Sequence, residues 1–279
     1  MKLIADSGST KTDWVLIHHN SEAGRYHTPG YNPFFFDTEA IYSSLNENLL
    51  VQLQVAEIKE VYFYGAGCSS PQKCDIVHKA LQQAFQNANI IVTHDLLASA
   101  KALLGDNPGF AAILGTGANT CLYDGEKVAL NIDSLGHILG DEGSGCYIGR
   151  KLVRDYMRKL MPQELWDNFK ETYKLDNEQL YDILFNKPSP NRFLASFAKF
   201  AHKHKHTEYI RAIVRDSFHD FFKNLVSHYP NYTDYTLNCV GSIGYLFKDI
   251  LLDKAEEFNM KPGKIIQSPI NDLVLYHLK

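Results

Sequence analysis

Short apolar runs alternate along the first third of the chain with longer stretches in which apolar residues recur at helical spacing. Four of the short runs predict strands: residues 3–5, 14–17, 61–64 and 90–92. Two of the longer stretches predict helices: residues 41–53 and 75–85. Strands that alternate with helices in this way are typical of an α/β fold.

The chain repeats its opening pattern further along. Residues 3–17 form an apolar run, a small-residue loop with a glycine and a second apolar run, and residues 111–123 follow the same order. Two such β-turn-β units predict two related domains. The break falls in the glycine-containing loop 105–109, so we expect domains at residues 1–107 and 108–267, with residues 268–279 as a candidate to return to the first.

Helical patterns dominate the second half and predict helical additions to its domain. They cover residues 145–160, 191–200 and 208–226. Near the end, an apolar strand at 236–240 leads into a glycine turn at 241–244, and residues 245–258 again have helical spacing. A strand, a glycine turn and a helix form a common nucleotide-contacting arrangement.

The loop from Asp6 to Thr12 concentrates groups that a triphosphate needs. Gly8 lets a phosphate approach the backbone, Lys11 offers a positive charge, and Asp6 is suited to holding a magnesium ion. The loop also offers three hydroxyl donors: Ser9, Thr10 and Thr12. An ordinary hairpin turn would contain similar residues. Because the design recurs at residues 115–119, phosphate binding is the favoured interpretation.

Two other nucleotide-binding motifs are excluded. A Walker A loop needs a glycine directly before its lysine, whereas Thr10 precedes Lys11. The dinucleotide fingerprint G-x-G-x-x-G is also missing, since the pairs of glycines at 115–117 and 143–145 lack the third glycine at the required spacing.

Two acidic positions are candidates for chemistry on a hydroxylated ligand. Asp95 follows the apolar strand at 90–92, at the strand end where α/β sheets place ligands, and either acts as a general base or caps the next helix. Asp141 and Glu142 lie among glycines just before another helix, which suits a sugar or a hydrated metal. The alternative is that Asp141 or Ser144 caps that helix.

Composition removes several classes of partner. The chain has 28 lysines and arginines against 32 aspartates and glutamates, so it lacks the excess of positive charge that nucleic acid or an anionic bilayer would require. Its apolar runs are too short to cross a membrane or to form a signal peptide, and we expect a cytoplasmic protein. Five scattered cysteines indicate reduced thiols.

Together these motifs resemble the sugar kinase and actin-like ATPase superfamily over nearly the whole chain. Within it they resemble the BadF/BadG/BcrA/BcrD ATPase family, which includes N-acetylglucosamine kinase. Residues 6–14 are similar to the family's first phosphate motif, 115–119 to its second and 239–244 to its adenosine motif. The most specific segment is 136–144, where Gly-His is followed by Gly-Asp-Glu-Gly-Ser.

The resemblance implies two ribonuclease H-like domains, each with a mixed five-stranded sheet, that close on MgATP and a sugar. It implies a kinase that phosphorylates the 6-hydroxyl of N-acetylglucosamine or a related hexose, and it favours a homodimer. Asp95 is then the base, Asp6 the magnesium residue, and the sugar contacts are Asn32, Thr116 and Asp141. The implied nucleotide contacts are Ser9, Thr10, Lys11, Thr12, Gly115, Thr116, Gly117, Gly241 and Ser242.

One position departs from the family. Relatives have a Gly-Gly-Trp-Gly-like segment before the histidine, whereas here residues 133–136 read Asp-Ser-Leu-Gly. Leu135 lacks the broad aromatic face that often stacks on sugars, so the sequence leaves the exact sugar open.

Two other functions remain as alternatives. A dehydratase-activating ATPase of the same family needs paired cysteines for an iron–sulfur cluster, and the five cysteines here have no ligand spacing. A non-catalytic sugar sensor or a filament-forming actin relative is the alternative from a different class. The N-terminus carries no DNA-binding helix pair or basic surface, as a repressor would.

Overall fold

The computed structural model describes residues 1–278, which divide into two compact units. Unit 1 comprises Met1–Asn107, Gly125–Val128 and the C-terminal segment from Ser268. Unit 2 comprises Pro108–Asp124 and Ala129–Gln267. Within residues 1–278, no helix has both the length and the apolar composition needed to cross a bilayer.

Unit 1 begins with a mixed five-stranded sheet in the order β3-β2-β1-β4-β5. Its strands are β1 (Lys2–Ser7), β2 (Lys11–His18), β3 (Ser21–Pro29), β4 (Glu60–Gly65) and β5 (Asn89–His94). Its first helices are α1 (Thr38–Asn48), α2 (Pro71–Ala84) and α3 (Asp95–Leu104), and short 3₁₀ turns lie at Leu50–Gln52 and Val55–Glu57. Strands β1, β4 and β5 run parallel, so their carboxyl ends lie at one edge of the sheet.

Unit 2 repeats this topology with the strand order β10-β9-β6-β7-β8. Its strands are β6 (Gly109–Leu114), β7 (Ala118–Tyr123), β8 (Val128–Leu130), β9 (Thr236–Val240) and β10 (Lys261–Ile266). Its helices are α4 (Gly136–Leu139), α5 (Gly145–Met157), α6 (Gln163–Tyr173), α7 (Asn177–Asn186), α8 (Pro190–Ser196), α9 (Ala198–Lys203), α10 (Glu208–Asn224), α11 (Ser242–Leu246) and α12 (Lys248–Glu257). Further 3₁₀ turns lie at Val226–His228 and Tyr232–Asp234.

The last helix, α13 (Ile270–His277), returns to unit 1 and covers one face of its sheet. Ile270, Leu273 and Val274 pack there with Ile4 and Ala98, while α1 and α2 bury the opposite face. The α/β class and the two mixed five-stranded sheets that the resemblance implied are confirmed.

The helix predicted at residues 245–258 is in fact two helices, because Phe247 leaves the helical conformation between α11 and α12 (φ −115°, ψ 33°). Its side chain is buried in the core of unit 2. The prediction at 191–200 divides into α8 and α9 at buried Phe197, which keeps helical backbone angles (φ −71°, ψ −13°) while its amide donates to the Leu194 carbonyl three residues back (3.1 Å). Apolar spacing predicts that these segments are helical but does not predict where each one is interrupted.

Candidate active site

The loop between β1 and β2 is a tight hairpin that exposes small polar side chains. The Gly8 amide donates to the Lys11 carbonyl (3.0 Å), and the Gly30 amide donates to the Thr10 carbonyl (3.1 Å). A Cβ atom on Gly30 would lie 2.2 Å from the Gly8 carbonyl oxygen, so only glycine fits where the chain passes this loop. Ser9 is half-buried, and Thr10 and Lys11 are exposed, as phosphate contacts must be.

Thr12 differs from its neighbours because its hydroxyl is fully buried and already engaged. It donates to the Pro29 carbonyl (3.0 Å) and lies 2.8 Å from the Ser7 hydroxyl, which accepts from the Tyr31 amide (3.2 Å). A hydroxyl has one proton to donate, and that of Thr12 is used inside the unit. The expectation that this hydroxyl donates to phosphate is therefore replaced by a structural role in joining β1, β2 and the end of β3.

Three carboxylates lie around the carboxyl edge of the unit 1 sheet. Asp6 near the end of β1 is directly opposite Asp13 on β2, and Asp95 is the first residue of α3, immediately after β5. Burial, followed by the negative charges of Asp95 and Asp13, raises the pKa of Asp6 to about 7. Burial likewise raises the pKa of Asp95 to about 6, against the opposing effect of two backbone N–H groups. A carboxyl group with a pKa near neutrality is suited to proton transfer.

The N-cap of α3 is His94 rather than Asp95. Its Nδ1 accepts a hydrogen bond from the Leu97 amide (3.1 Å), and burial lowers the pKa of this imidazole, which favours the neutral form that can accept. The N-cap interpretation of Asp95 is thus wrong, and its carboxylate interacts instead with the amides of Asp95 and Leu96 at the start of α3.

Asn32 lies in a loop shaped around its side chain. It is buried, and its Oδ1 accepts from the Phe34 amide (2.9 Å), while a Cβ atom on Gly67 (φ +81°) would lie 2.3 Å from the same oxygen.

Phe34 and Phe35 beside Asn32 are more than half exposed, and Lys73 Nζ lies 4.2 Å from the Phe34 ring centroid. Sequence reasoning missed this aromatic surface, although the run of three phenylalanines after Asn32 and Pro33 was visible.

The second glycine loop, in unit 2, holds the start of α5. The Gly115 and Thr116 carbonyls accept from the amides of Gly145 (2.8 Å) and Cys146 (3.0 Å). The loop is partly exposed, including the Thr116 side chain. The predicted phosphate residues of this loop are therefore accessible and rigidly placed.

Asp141 is fixed against this loop in an unusual backbone conformation. Its φ is +57°, its Oδ1 accepts from the Ala118 amide (3.0 Å), and a Cβ atom on Gly117 would lie 3.0 Å from that oxygen. Burial raises the pKa of Asp141, opposed by the Ala118 amide and then by the positive charges of His137 and Arg150. The cap of α5 is Ser144, which accepts from the Tyr147 amide (3.1 Å), so Asp141 is not the cap.

The segment before Asp141 is an exposed turn that leads into the short helix α4. Leu135 has φ +59° and is 59% exposed, an outlier conformation for a bulky residue. Arg150 Nη1 donates to the His137 carbonyl (2.8 Å) and so holds α4 onto α5. Leu135 therefore presents an apolar side chain to solvent.

Gly241 and Ser242 lie at the end of β9 and the start of α11. Gly241 has φ +125°, and a Cβ atom there would lie 2.3 Å from the Leu114 carbonyl oxygen. The Ser242 side chain is exposed. The close approach to β6 requires glycine, which accounts for this part of the motif by backbone packing alone.

Stability should respond to pH through Asp95. Its pKa in the folded protein is raised above the unfolded value of ~3.9. The stability that its protonated form contributes is therefore complete below pH ~4 and is lost as the pH rises through about 6. In metal-free protein without nucleotide, we expect Asp95→Asn to melt at the same temperature as wild type at pH 4 and at a higher temperature at pH 8. A variant that melts below wild type at pH 8 would contradict this.

The duplicated sheet and the two glycine loops define an actin-like ATPase fold of the kind used by sugar kinases. A candidate N-acetylglucosamine kinase from Porphyromonas gingivalis has a solved structure that is 38% identical, with a TM-score of 0.95 over 100% of this chain and 99% of that one. The chain belongs to the same family, the N-acetylglucosamine kinase-like members of the BadF/BadG/BcrA/BcrD ATPases.

Two more distant structures share the fold. A candidate N-acetylglucosamine kinase from Chromobacterium violaceum is 15% identical, with a TM-score of 0.77 over 100% of this chain and 98% of that one. A glucokinase of the ROK family from Streptomyces griseus, in complex with glucose and AMPPNP, is 14% identical, with a TM-score of 0.57 over 99% and 97%. No family model and no curated protein sequence matches the chain significantly.

Proposed function

We propose that the chain is an ATP-dependent sugar kinase that phosphorylates the 6-hydroxyl of N-acetylglucosamine or a related amino sugar. The observation that carries this is the Asp95 carboxyl group. It stands at the end of a parallel strand, it is not the N-cap of α3, which is His94, and its pKa is raised to about 6. Family membership with the candidate N-acetylglucosamine kinase of P. gingivalis supports the substrate class.

In this mechanism Asp95 accepts the proton of the sugar hydroxyl as that oxygen bonds to the terminal phosphorus of ATP. The bond from this phosphorus to the β–γ bridging oxygen breaks, and ADP leaves. Phosphoryl transfer requires little covalent chemistry from the protein, so the remaining residues act by positioning and by electrostatics. Lys11 and the hydroxyls of Ser9 and Thr10 contact phosphate in the first loop. Gly115, Thr116 and Gly117 do so in the second, with Gly241 and Ser242 assigned to the nucleotide.

Magnesium fits the donor set of unit 1. Asp6 is a hard oxygen donor whose pKa is raised by burial and then by two neighbouring carboxylates, and a divalent cation would relieve the repulsion between them. Within residues 1–278, no three His, Cys, Asp or Glu side chains form a protein-only metal cage. Magnesium usually takes one or two carboxylates together with phosphate oxygens and water, so a single aspartate suffices. When bound with ATP, the ion neutralises phosphate charge.

Asn32, Thr116 and Asp141 are the proposed sugar contacts. Asn32 Oδ1 is already used by the Phe34 amide, which leaves its Nδ2 as the group that donates to a sugar hydroxyl. Asp141 keeps Oδ2 as an acceptor while Oδ1 is held by the Ala118 amide. The Asn32 and Asp141 side chains are each held within their own unit before any ligand arrives, which lowers the entropic cost of ordering them.

Because Leu135 offers no aromatic face, we expect the site to select sugars through hydrogen bonds and to accept several of them. We expect N-acetylglucosamine, N-acetylmannosamine and glucose to be phosphorylated with kcat/KM values within ~10³ of one another, since each lost polar contact costs roughly 1–3 kcal/mol. Steady-state kinetics on the three sugars measure this. A preference for N-acetylglucosamine of many orders of magnitude would contradict the tolerant site.

The cysteines do not favour the dehydratase-activating alternative. Cys68, Cys121, Cys146 and Cys239 are buried, and burial raises the pKa of each thiol, which disfavours the thiolate that ligates iron. Anaerobically purified protein should be colourless and free of iron.

A thermal-shift screen tests the proposal at the level of binding. Monosaccharides are added with magnesium and a non-hydrolysable ATP analogue, and we expect amino sugars to raise the melting temperature further than the analogue alone. The absence of any sugar-dependent shift would count against a kinase.

The proposal includes a cytoplasmic homodimer, as the family resemblance favours, and sedimentation measures the assembly state.

A further inference from the structure

Asp13 on β2 is a nearly buried carboxylate with two side-chain partners, Lys11 and His27. Lys11 Nζ donates to Asp13 Oδ1 (3.0 Å) and lies 2.8 Å from Oδ2, so it contacts both oxygens. His27 Nδ1 on β3 lies 2.6 Å from Asp13 Oδ1. The Asp13 side chain is 11% exposed, against 65% for Lys11 and 68% for His27. A fixed carboxylate thus lies beneath two side chains that reach into solvent.

The strand register explains why Asp13 is held so firmly. Asp6, Asp13 and His27 occupy directly opposed positions on β1, β2 and β3, and therefore share one face of the sheet. Like charges in direct cross-strand positions destabilise a sheet. The contacts of Asp13 with Lys11 and His27 offset that cost, and they orient its carboxylate along β2 towards the hairpin loop.

Lys11 is the only cationic side chain of the loop from Ser7 to Thr12. A lysine at an exposed turn otherwise samples many rotamers, and ordering it on binding a phosphate costs free energy. Two contacts with one buried carboxylate remove part of that freedom before the nucleotide arrives.

We propose that Asp13, anchored by His27, is a positioning residue that holds Lys11 in place for the phosphates of ATP. This rests on the proposed function, because it assigns Lys11 to ATP. The competing explanation is that the ion pair only stabilises the hairpin. Exposed pairs contribute little to stability, and Glu22 with Arg25 on β3 is such a pair (2.6 and 2.8 Å), which makes it a matched control.

Calorimetric titration with the magnesium complex of a non-hydrolysable ATP analogue, without sugar, tests the proposal. We expect Asp13→Asn to weaken the dissociation constant about threefold to tenfold, and His27→Ala to weaken it less. Both effects should vanish in a Lys11→Met background, because the double-mutant cycle isolates action through Lys11. Glu22→Gln should leave the constant unchanged. His27 is exposed, so its variant reads out the proposal even if Asp13→Asn fails to fold.

An unchanged or tightened constant in Asp13→Asn, or an equal loss with and without Lys11, would overturn the inference. An unchanged constant in His27→Ala would overturn the anchoring step. The proposed function is tested separately by wild-type turnover. If the wild-type protein bound the analogue but phosphorylated no sugar, the proposed kinase activity would be refuted. The double-mutant cycle on nucleotide binding could still be interpreted.

Discussion

Asp95→Asn should abolish most of the phosphoryl transfer while the protein stays folded and still binds sugar. Removing a positioned base costs ~10²- to 10⁴-fold in rate. Asparagine has nearly the same shape as aspartate but accepts no proton at neutral pH. Because His94 caps α3 through the Leu97 amide, the substitution removes no cap and should not lower the melting temperature. Initial rates, sugar binding and thermal melts on the same preparation measure the three quantities.

Asp176→Asn is the matched control for this experiment. Asp176 is the N-cap of α7 in unit 2, with its side chain accepting from the Gln179 amide (2.8 Å). Asparagine is an equally good cap, so the same chemical change there should alter neither rate nor stability. If Asp95→Asn retained nearly full sugar phosphorylation, the base would have to be another carboxylate, with Asp141 the first to test.

Asp6→Asn should lower turnover by about 10²-fold or more, since a cation that polarises phosphate oxygens stabilises the transition state by several kcal/mol. The variant should also require more magnesium to reach half-maximal activity. The rate is measured against magnesium concentration at fixed ATP. A folding defect would lower the maximal rate without changing the magnesium concentration that gives half of it, whereas weaker magnesium binding would raise that concentration. Wild-type activity and magnesium dependence in Asp6→Asn would refute the role of Asp6.

Much of the fold was accessible from the sequence because its central strands are apolar. Two of the edge strands, β3 and β10, were missed because little of their length is apolar. Strand β3 is mostly polar and exposed, and β10 contains Pro262 and Gly263, residues that disfavour a strand interior. No period-2 apolar pattern exists in either segment, so only the resemblance implied sheets of five strands.

The sequence likewise predicted some features of the candidate site and not others. The composition of the two glycine loops predicts phosphate binding directly, and Asp6, Asp95 and Asp141 were predicted as site residues from their place beside strands, helices and glycines. The sequence did not identify His94 as the cap of α3, because histidine is a rare N-cap and its role depends on the geometry of Nδ1. The engagement of Thr12 and the pairing of Asp13 with His27 depend on cross-strand register, which no local pattern specifies.

The most direct test of the kinase assignment is the identity of the product. Purified protein is incubated with N-acetylglucosamine and MgATP, and phosphorus and proton NMR locate the transferred phosphate. We expect one equivalent of ADP for each N-acetylglucosamine 6-phosphate formed, with the phosphorus coupled to the two protons on C6. ATP consumption without sugar phosphate, or phosphate attached at C1, would contradict it.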